Sequence, residues 1–221
     1  MSLIIRGHRF EVPGYKVTSW LDDPKVAPPV TDGRPRATDP IALCFHTSRG
    51  QRGKLQPGAR PSTRAELLAR YQARTPRQVS WHTTGDTDGD LFQQADLALW
   101  MCWHVEEANG WTIGHESIQH PDSPDQWEVQ IASEVAYAEV VCAELAIPRR
   151  VIVDSEGRPW MKPVPSLVMK KYEGPGGRWA GILGHCHLVP DTVRGPGDPG
   201  AHVFEALLRA GFEGVFVGDV H

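Results

Sequence analysis

The chain is expected to adopt an α/β fold, a mixed central β-sheet flanked by helices, because strand patterns and helix patterns intermingle along it without strict alternation. Three observations carry this expectation. Residues 41–46 form an apolar run that ends in the polar triplet His46, Thr47, Ser48, as a buried strand does when it delivers functional groups to a sheet edge. Residues 126–145 place apolar Val129, Ala132, Ala136, Val140 and Val141 at helical spacing, giving the main helix. Asp88-Gly89 ahead of Leu91 and Phe92 is a strong hairpin signal, so at least one strand pair is antiparallel.

In chain order, a short strand pair is predicted over residues 3–6 and 9–12. A stretch holding Pro24, Pro28, Pro29, Pro35 and Pro40 follows. Proline donates nothing to a ladder and discourages helix, so residues 1–40 are expected to form an irregular arm packed on the body. The body itself, residues 41–221, starts with the strand at 41–46. Thr63 and Glu66 have capping-box spacing ahead of a helix stripe of Leu67, Leu68 and Tyr71 that runs to about residue 74. Strands follow over 79–84 and 111–119. The main helix must stop before Pro148. A last apolar strand is predicted over 181–189, and a final helix over 203–210 closes with Gly211 just past its end.

Composition narrows the function classes. The 221 residues are 40% hydrophobic and 23% charged, enough for one sizeable core. A net charge of -4 and a pI near 6.2 supply no basic stripe, which argues against a nucleic-acid partner or an anionic membrane surface. No stretch approaches the roughly 20 apolar residues that span a bilayer. The first twelve positions mix Arg6, His8, Arg9 and Glu11 into their apolar residues and lack a signal-peptide run, so a cytoplasmic, monomeric product is expected in the producing cell. Cys44, Cys102, Cys142 and Cys186 are dispersed without a CxxC pair, so no disulfide framework is expected; Cys186, between His185 and His187, is placed to touch a metal.

Ten histidines are many for this length, and His46, His82, His185 and His187 fall at or near predicted strand ends. One strand-end histidine is an ordinary structural residue. Several together fit a catalytic zinc, which takes three protein ligands and keeps a fourth position for water. Spacing alone cannot choose the ligands, since none of these pairs is a helical HExxH neighbour.

The ordered segments Cys44-Phe45-His46-Thr47-Ser48, Val79-Ser80-Trp81-His82, residues 86–89, Trp103-His104, Asn109, Ile113-Gly114-His115-Glu116, Gly184-His185 and Asp198-Pro199-Gly200 resemble the zinc-dependent N-acetylmuramoyl-L-alanine amidases. That family includes phage endolysins, muropeptide-recycling amidases and peptidoglycan recognition proteins, and the resemblance covers about residues 41–200. It implies the recognition-protein-like amidase fold over the body and Zn2+ held by His46, His185 and Asp198. His187 stands as an alternative to His185, because it shortens an otherwise long interval to Asp198, and Cys186 keeps a small share.

The resemblance also implies roles around the metal. Glu116 matches the carboxylate that takes a proton from water and passes it to the leaving amine. The lysine often found two positions before the third ligand is Pro196 here, which leaves Arg194 as the cation for the oxyanion. Trp81, Trp103, His104 and Asn109 are the candidate contacts to glycan and stem peptide, aromatic faces being suited to sugar rings. The expected substrate is bacterial peptidoglycan or a muropeptide, cut between N-acetylmuramic acid and L-alanine in a lytic role. The alternatives are a muropeptide-recycling amidase and a recognition protein that binds without cutting.

Overall fold

The computed structural model describes residues 2–22, 33–48, 64–72, 74–75, 79–118, 128–164, 173–174, 177–188 and 199–216. Its elements in chain order are β1 (Leu3–Ile5), β2 (His8–Phe10), β3 (Val17–Ser19), β4 (Arg34–Pro35), β5 (Ala42–Ser48), α1 (Arg64–Gln72), β6 (Thr83–Gly85), β7 (Leu91–Gln93), β8 (Trp100–Met101), β9 (Thr112–Ile118), α2 (Glu128–Leu145), β10 (Arg150–Val153), β11 (Glu173–Gly174), β12 (Arg178–Trp179), β13 (Gly181–Gly184), α3 (His185–Leu188), α4 (Ala201–Arg209) and β14 (Glu213–Phe216). A 3-10 helix, Glu106–Gly110, precedes β9. No helix among the described residues is long and apolar enough to cross a membrane.

The main sheet has six strands in the order β13-β5-β9-β6-β7-β3. Strands β13, β5, β9 and β6 run parallel. The turn at Asp88-Gly89, with Gly89 at φ +87, reverses the chain so that β7 pairs antiparallel with β6. The sheet is therefore mixed, as expected. Every residue of β5 is buried, and period two sorts its side chains. Leu43 and Phe45 enter a core with Tyr137, Ala138 and Val141 of α2 and with Val203, Phe204 and Leu207 of α4. Cys44 faces the other way, toward Val105, Ala108, Trp111 and Trp179. Helix α1 lies on that second face, where Ala65 meets Phe92 and Ile118. Helices thus cover both faces.

Both long-range helix ends follow local chemistry. After α4, Gly211 takes φ +86, Phe212 N donates to Leu207 O at 3.1 Å and Gly211 N to Leu208 O at 3.0 Å, a glycine C-terminal cap. The strand predicted to 189 instead ends at Gly184. There the Gly184 N–H donates to His187 Nδ1 at 3.0 Å, so His187 plays the part that Glu or Gln plays in a capping box and the chain turns into α3. The expected strand at 79–84 is shorter, beginning at Thr83, and the Thr63 of the proposed capping box lies outside the described residues. Strands β3, β4, β8, β10 and β14 run only two to four residues. Such lengths show no readable alternation.

Residues 1–40 contribute the β1–β2 hairpin, β4 paired with β8, and β3, which joins the main sheet beside β7. They also supply Arg36, whose guanidinium donates to the carbonyls of Asn109 (3.4 Å), Gly110 (3.2 Å) and Thr112 (2.6 Å). The first two carbonyls lie at the end of the 3-10 helix, where the helical ladder leaves acceptors unpaired, and the third opens β9. Burial lowers Arg36 to about 10 without discharging it. Beside it, fully buried His82 accepts from Gly114 N–H at Nδ1 (3.0 Å) and therefore donates from Nε2 to Trp100 O (2.9 Å). Burial first, and then the Arg36 charge, push His82 down to about 3.

Two outcomes follow for stability. Arg36→Met keeps the bulk and loses three charge-assisted hydrogen bonds; it should cost about 3 kcal/mol in urea unfolding. His82 is neutral in the folded chain and titrates near 6.5 when unfolded, so its contribution is complete above that value and is lost as pH falls toward about 3. Between pH 7 and pH 5 this amounts to about 2 kcal/mol. Asp86, raised to about 6 by burial, acts in the opposite sense, because the folded chain holds its proton where the unfolded chain has released it. Unfolding curves of wild type and His82→Gln at both pH values isolate the histidine: the wild type should lose about 2 kcal/mol more than the variant.

Candidate functional site

The site is a consequence of strand register. In β5 the residues sharing a face with Cys44 include His46, near the carboxyl end of the strand. Parallel pairing sets His46 opposite Glu116 and Cys44 opposite Gly114 of β9. On the next strand, Thr84 of β6 lies opposite Glu116. On the other side Gly184 of β13 pairs with Phe45, which brings His185 level with His46. The His46 and His185 rings stand 4.8 Å apart between centroids. His46, His185, Glu116 and Thr84 thus converge at the carboxyl edge of parallel strands, where α/β sheets habitually hold their ligands.

Gly114 opens room for a further imidazole. A Cβ at that position would meet His104 Cγ at 2.6 Å, so only a glycine lets the His104 ring lie against β9. His104 Nδ1 is 2.9 Å from His46 Nε2, and His104 Nε2 is 3.1 Å from Thr112 Oγ1. The Thr112 hydroxyl in turn donates to Ala108 O at 2.7 Å. Burial, reinforced by His46, His82 and Arg36, holds His104 well below the ordinary histidine value. The loop carrying it is stapled by Asn109, whose Oδ1 accepts from His104 N (2.8 Å) and Val105 N (2.7 Å).

Ligating atoms of Cys44, His46 and His104 all lie within 4.8 Å of one another, so these three side chains could hold a metal ion. A thiol and imidazoles are zinc-type donors. His46 is common to this group and to the His46–His185–Asp198 set implied by the sequence resemblance. Asp198 and Arg194 lie outside the described residues.

The structure separates the four strand-end histidines. His46 and His185 come together. His82 and His187 are each committed through both ring nitrogens. For His187, Nδ1 accepts from Gly184 N–H and Nε2 makes a short contact with Trp160 O, while burial lowers it to about 4. Its ring lies toward Phe204, in the core beneath the sheet. Trp81 is 4% exposed and its Nε1 donates to Thr84 Oγ1 at 2.7 Å. Trp103 is half-buried under Arg34, whose guanidinium carbon is 5.7 Å from the ring. Arg36, Thr112 and Cys44 went unnoticed in the sequence as parts of the site. Cys44 and Thr112 were open to detection, since Cys44 stands two positions before His46 and Thr112 four before Glu116, and period two puts each on the same face as that residue.

No family model matches the chain, and no curated protein matches it. Among solved structures it is similar to the Drosophila peptidoglycan recognition protein SD, at 12% identity over 92% of this chain and 99% of that one, with a TM-score of 0.55. It is also similar to the Ph2119 endolysin from the Thermus scotoductus MAT2119 bacteriophage Ph2119, at 11% identity over 90% of this chain and 100% of that one, with a TM-score of 0.52. At such identities the likeness is one of backbone, and it establishes that this chain has the mixed-sheet fold shared by that recognition protein and that endolysin.

Proposed function

We propose that the chain is a zinc-dependent N-acetylmuramoyl-L-alanine amidase that cuts the amide between N-acetylmuramic acid and L-alanine of the peptidoglycan stem peptide, in a lytic role on the cell wall after release. The observation that carries the proposal is the register that sets His46 beside both Glu116 and His185 at one sheet edge. The donors fit zinc: the His46 and His185 imidazoles lie close together, with Asp198 of the resemblance as a third ligand. What favours His185 over His187 is that both nitrogens of His187 are already committed.

When bound, zinc polarises an amide carbonyl and lowers the pKa of water toward about 7. The chain supplies the rest. Glu116, half-buried and in register with His46, takes the proton of the attacking water on its carboxylate and returns it to the leaving amine. Arg194 serves as the cation for the developing oxyanion. Trp103, half-buried, offers an aromatic surface to a sugar ring and His104 lies next to it in the chain. Trp81 and Asn109, each 4% exposed, act from behind by holding Thr84 and the His104 loop.

A second reading is a recognition protein that binds peptidoglycan without cutting it, in keeping with the name of one fold neighbour. Digestion of purified sacculi, with and without a chelator and with zinc restored, separates the two. The proposal expects free stem peptides beginning at L-alanine by mass spectrometry, lost on chelation and regained with zinc. Intact sacculi that retain bound protein would establish the recognition reading, and cleavage confined to soluble muropeptides would move the activity to recycling. Within the amidase reading, His46→Ala and Asp198→Ala should lose zinc and activity together. Glu116→Gln should keep zinc while kcat falls roughly 10²- to 10⁴-fold.

A further inference from the structure

The chain of contacts running from His46 to Ala108 has a direction, and it can be read from the end that is unambiguous. A carbonyl only accepts, so the single proton of the Thr112 hydroxyl is spent on Ala108 O. Thr112 Oγ1 can then only accept from the ring beside it, which puts the proton of His104 on Nε2. A neutral imidazole carries one proton, and in His104 the Thr112 hydroxyl accepts it at Nε2. Its Nδ1 is therefore a lone pair, and the 2.9 Å contact to His46 is made by a proton on His46 Nε2. In its neutral form His46 keeps the lone pair on Nδ1.

We propose that Thr112 and His104 form an ordered relay that holds His46 as its Nε2–H tautomer and so presents Nδ1 as the metal-binding atom. His104 and Thr112 are positioning residues, and the metal is held by His46 without direct ligation by His104. This rests on the zinc reading of the site. Ligating histidines usually donate their second ring N–H to a carboxylate, a backbone carbonyl or water. Here the acceptor at the end is likewise a backbone carbonyl, that of Ala108, reached through one imidazole and one hydroxyl. The relay also accounts for two features of the sequence. Gly114 lacks the Cβ that would displace the His104 ring. Position 112, a fully buried strand site, carries a hydroxyl.

The competing arrangement is direct ligation by Cys44, His46 and His104, for which His46 would use Nε2. Three measurements on the full chain decide between them. Long-range 15N–1H spectra of the histidines in metal-free protein should show Nε2–H tautomers for His46 and His104 in wild type and in Thr112→Ser, with the population shifting toward Nδ1–H in Thr112→Val. Zinc competition with a chromophoric chelator should show affinity reduced about 10- to 100-fold in Thr112→Val and restored in Thr112→Ser. The Co(II) spectrum should be the same in wild type and Cys44→Ser. An Nδ1–H tautomer of His46 in the wild type, or undiminished zinc affinity in Thr112→Val, overturns the relay. A thiolate-to-cobalt band that disappears in Cys44→Ser establishes the competing site and overturns it as well. Wild-type protein that takes up no zinc overturns the functional reading and the metal half of the proposal, and the tautomers measured without metal still decide the proton order.

Discussion

The parallel ladder on either side of β5 is the constraint on which the rest depends. Side chains alternate along a strand, so a slip of one residue would exchange Cys44 and His46 with Phe45 and Leu43. Both faces of β5 are buried and chemically unlike, which makes such a slip costly in either direction. On one face Leu43 and Phe45 pack against α2 and α4. On the other the pairing with β9 and β13 sets His46 beside Glu116 and brings His185 level with it. The apolar core and the polar site are consequences of the same register.

A sheet buried on both faces leaves many polar groups without water, and the histidines answer much of that need. His82 pairs Gly114 N–H with Trp100 O, and His187 pairs Gly184 N–H with Trp160 O. Beneath the site, His115 bonds through Nδ1 to Thr83 Oγ1, which also donates to Tyr137 OH, and Glu134 lies 3.5 Å from its Nε2. That network ties α2 to β6 and β9, so the strand that displays Glu116 on its upper face is anchored by a polar cluster on its lower one. A site built on a strand held from below is stiffer than one built on a loop.

Among the described residues, the loop that carries His104 into the site is restrained from three directions. Arg36 gathers the carbonyls at its end, Asn109 closes its start, and the missing Cβ of Gly114 lets it lie flat on the sheet. Arg36 comes from the first forty residues, far from the strands in sequence. The N-terminal segment thus acts on the site at a distance, through backbone carbonyls, by fixing where His104 can be.

Much of the fold was legible in the chain because it is written in local periodicity. The apolar run at 41–46, the stripe of the main helix, the Asp88-Gly89 turn and the Gly211 stop each rest on neighbours a few residues away, and each corresponds to an observed element. The short strands β10 and β14 were not legible, since they pair across the whole C-terminal part of the chain and are too brief to alternate. The amino-acid sequence by itself determined which residue types could meet on a strand face, and hence that His46 would stand at a sheet edge with polar company. It could not sort the histidines. The partners that commit His82 come from Gly114 and Trp100, the second partner of His187 from distant Trp160, and that of His46 from the loop ahead of β9. Only the tertiary structure decided which imidazoles are tied to buried backbone and which meet at the sheet edge, because an imidazole's role is set by what meets its two nitrogens.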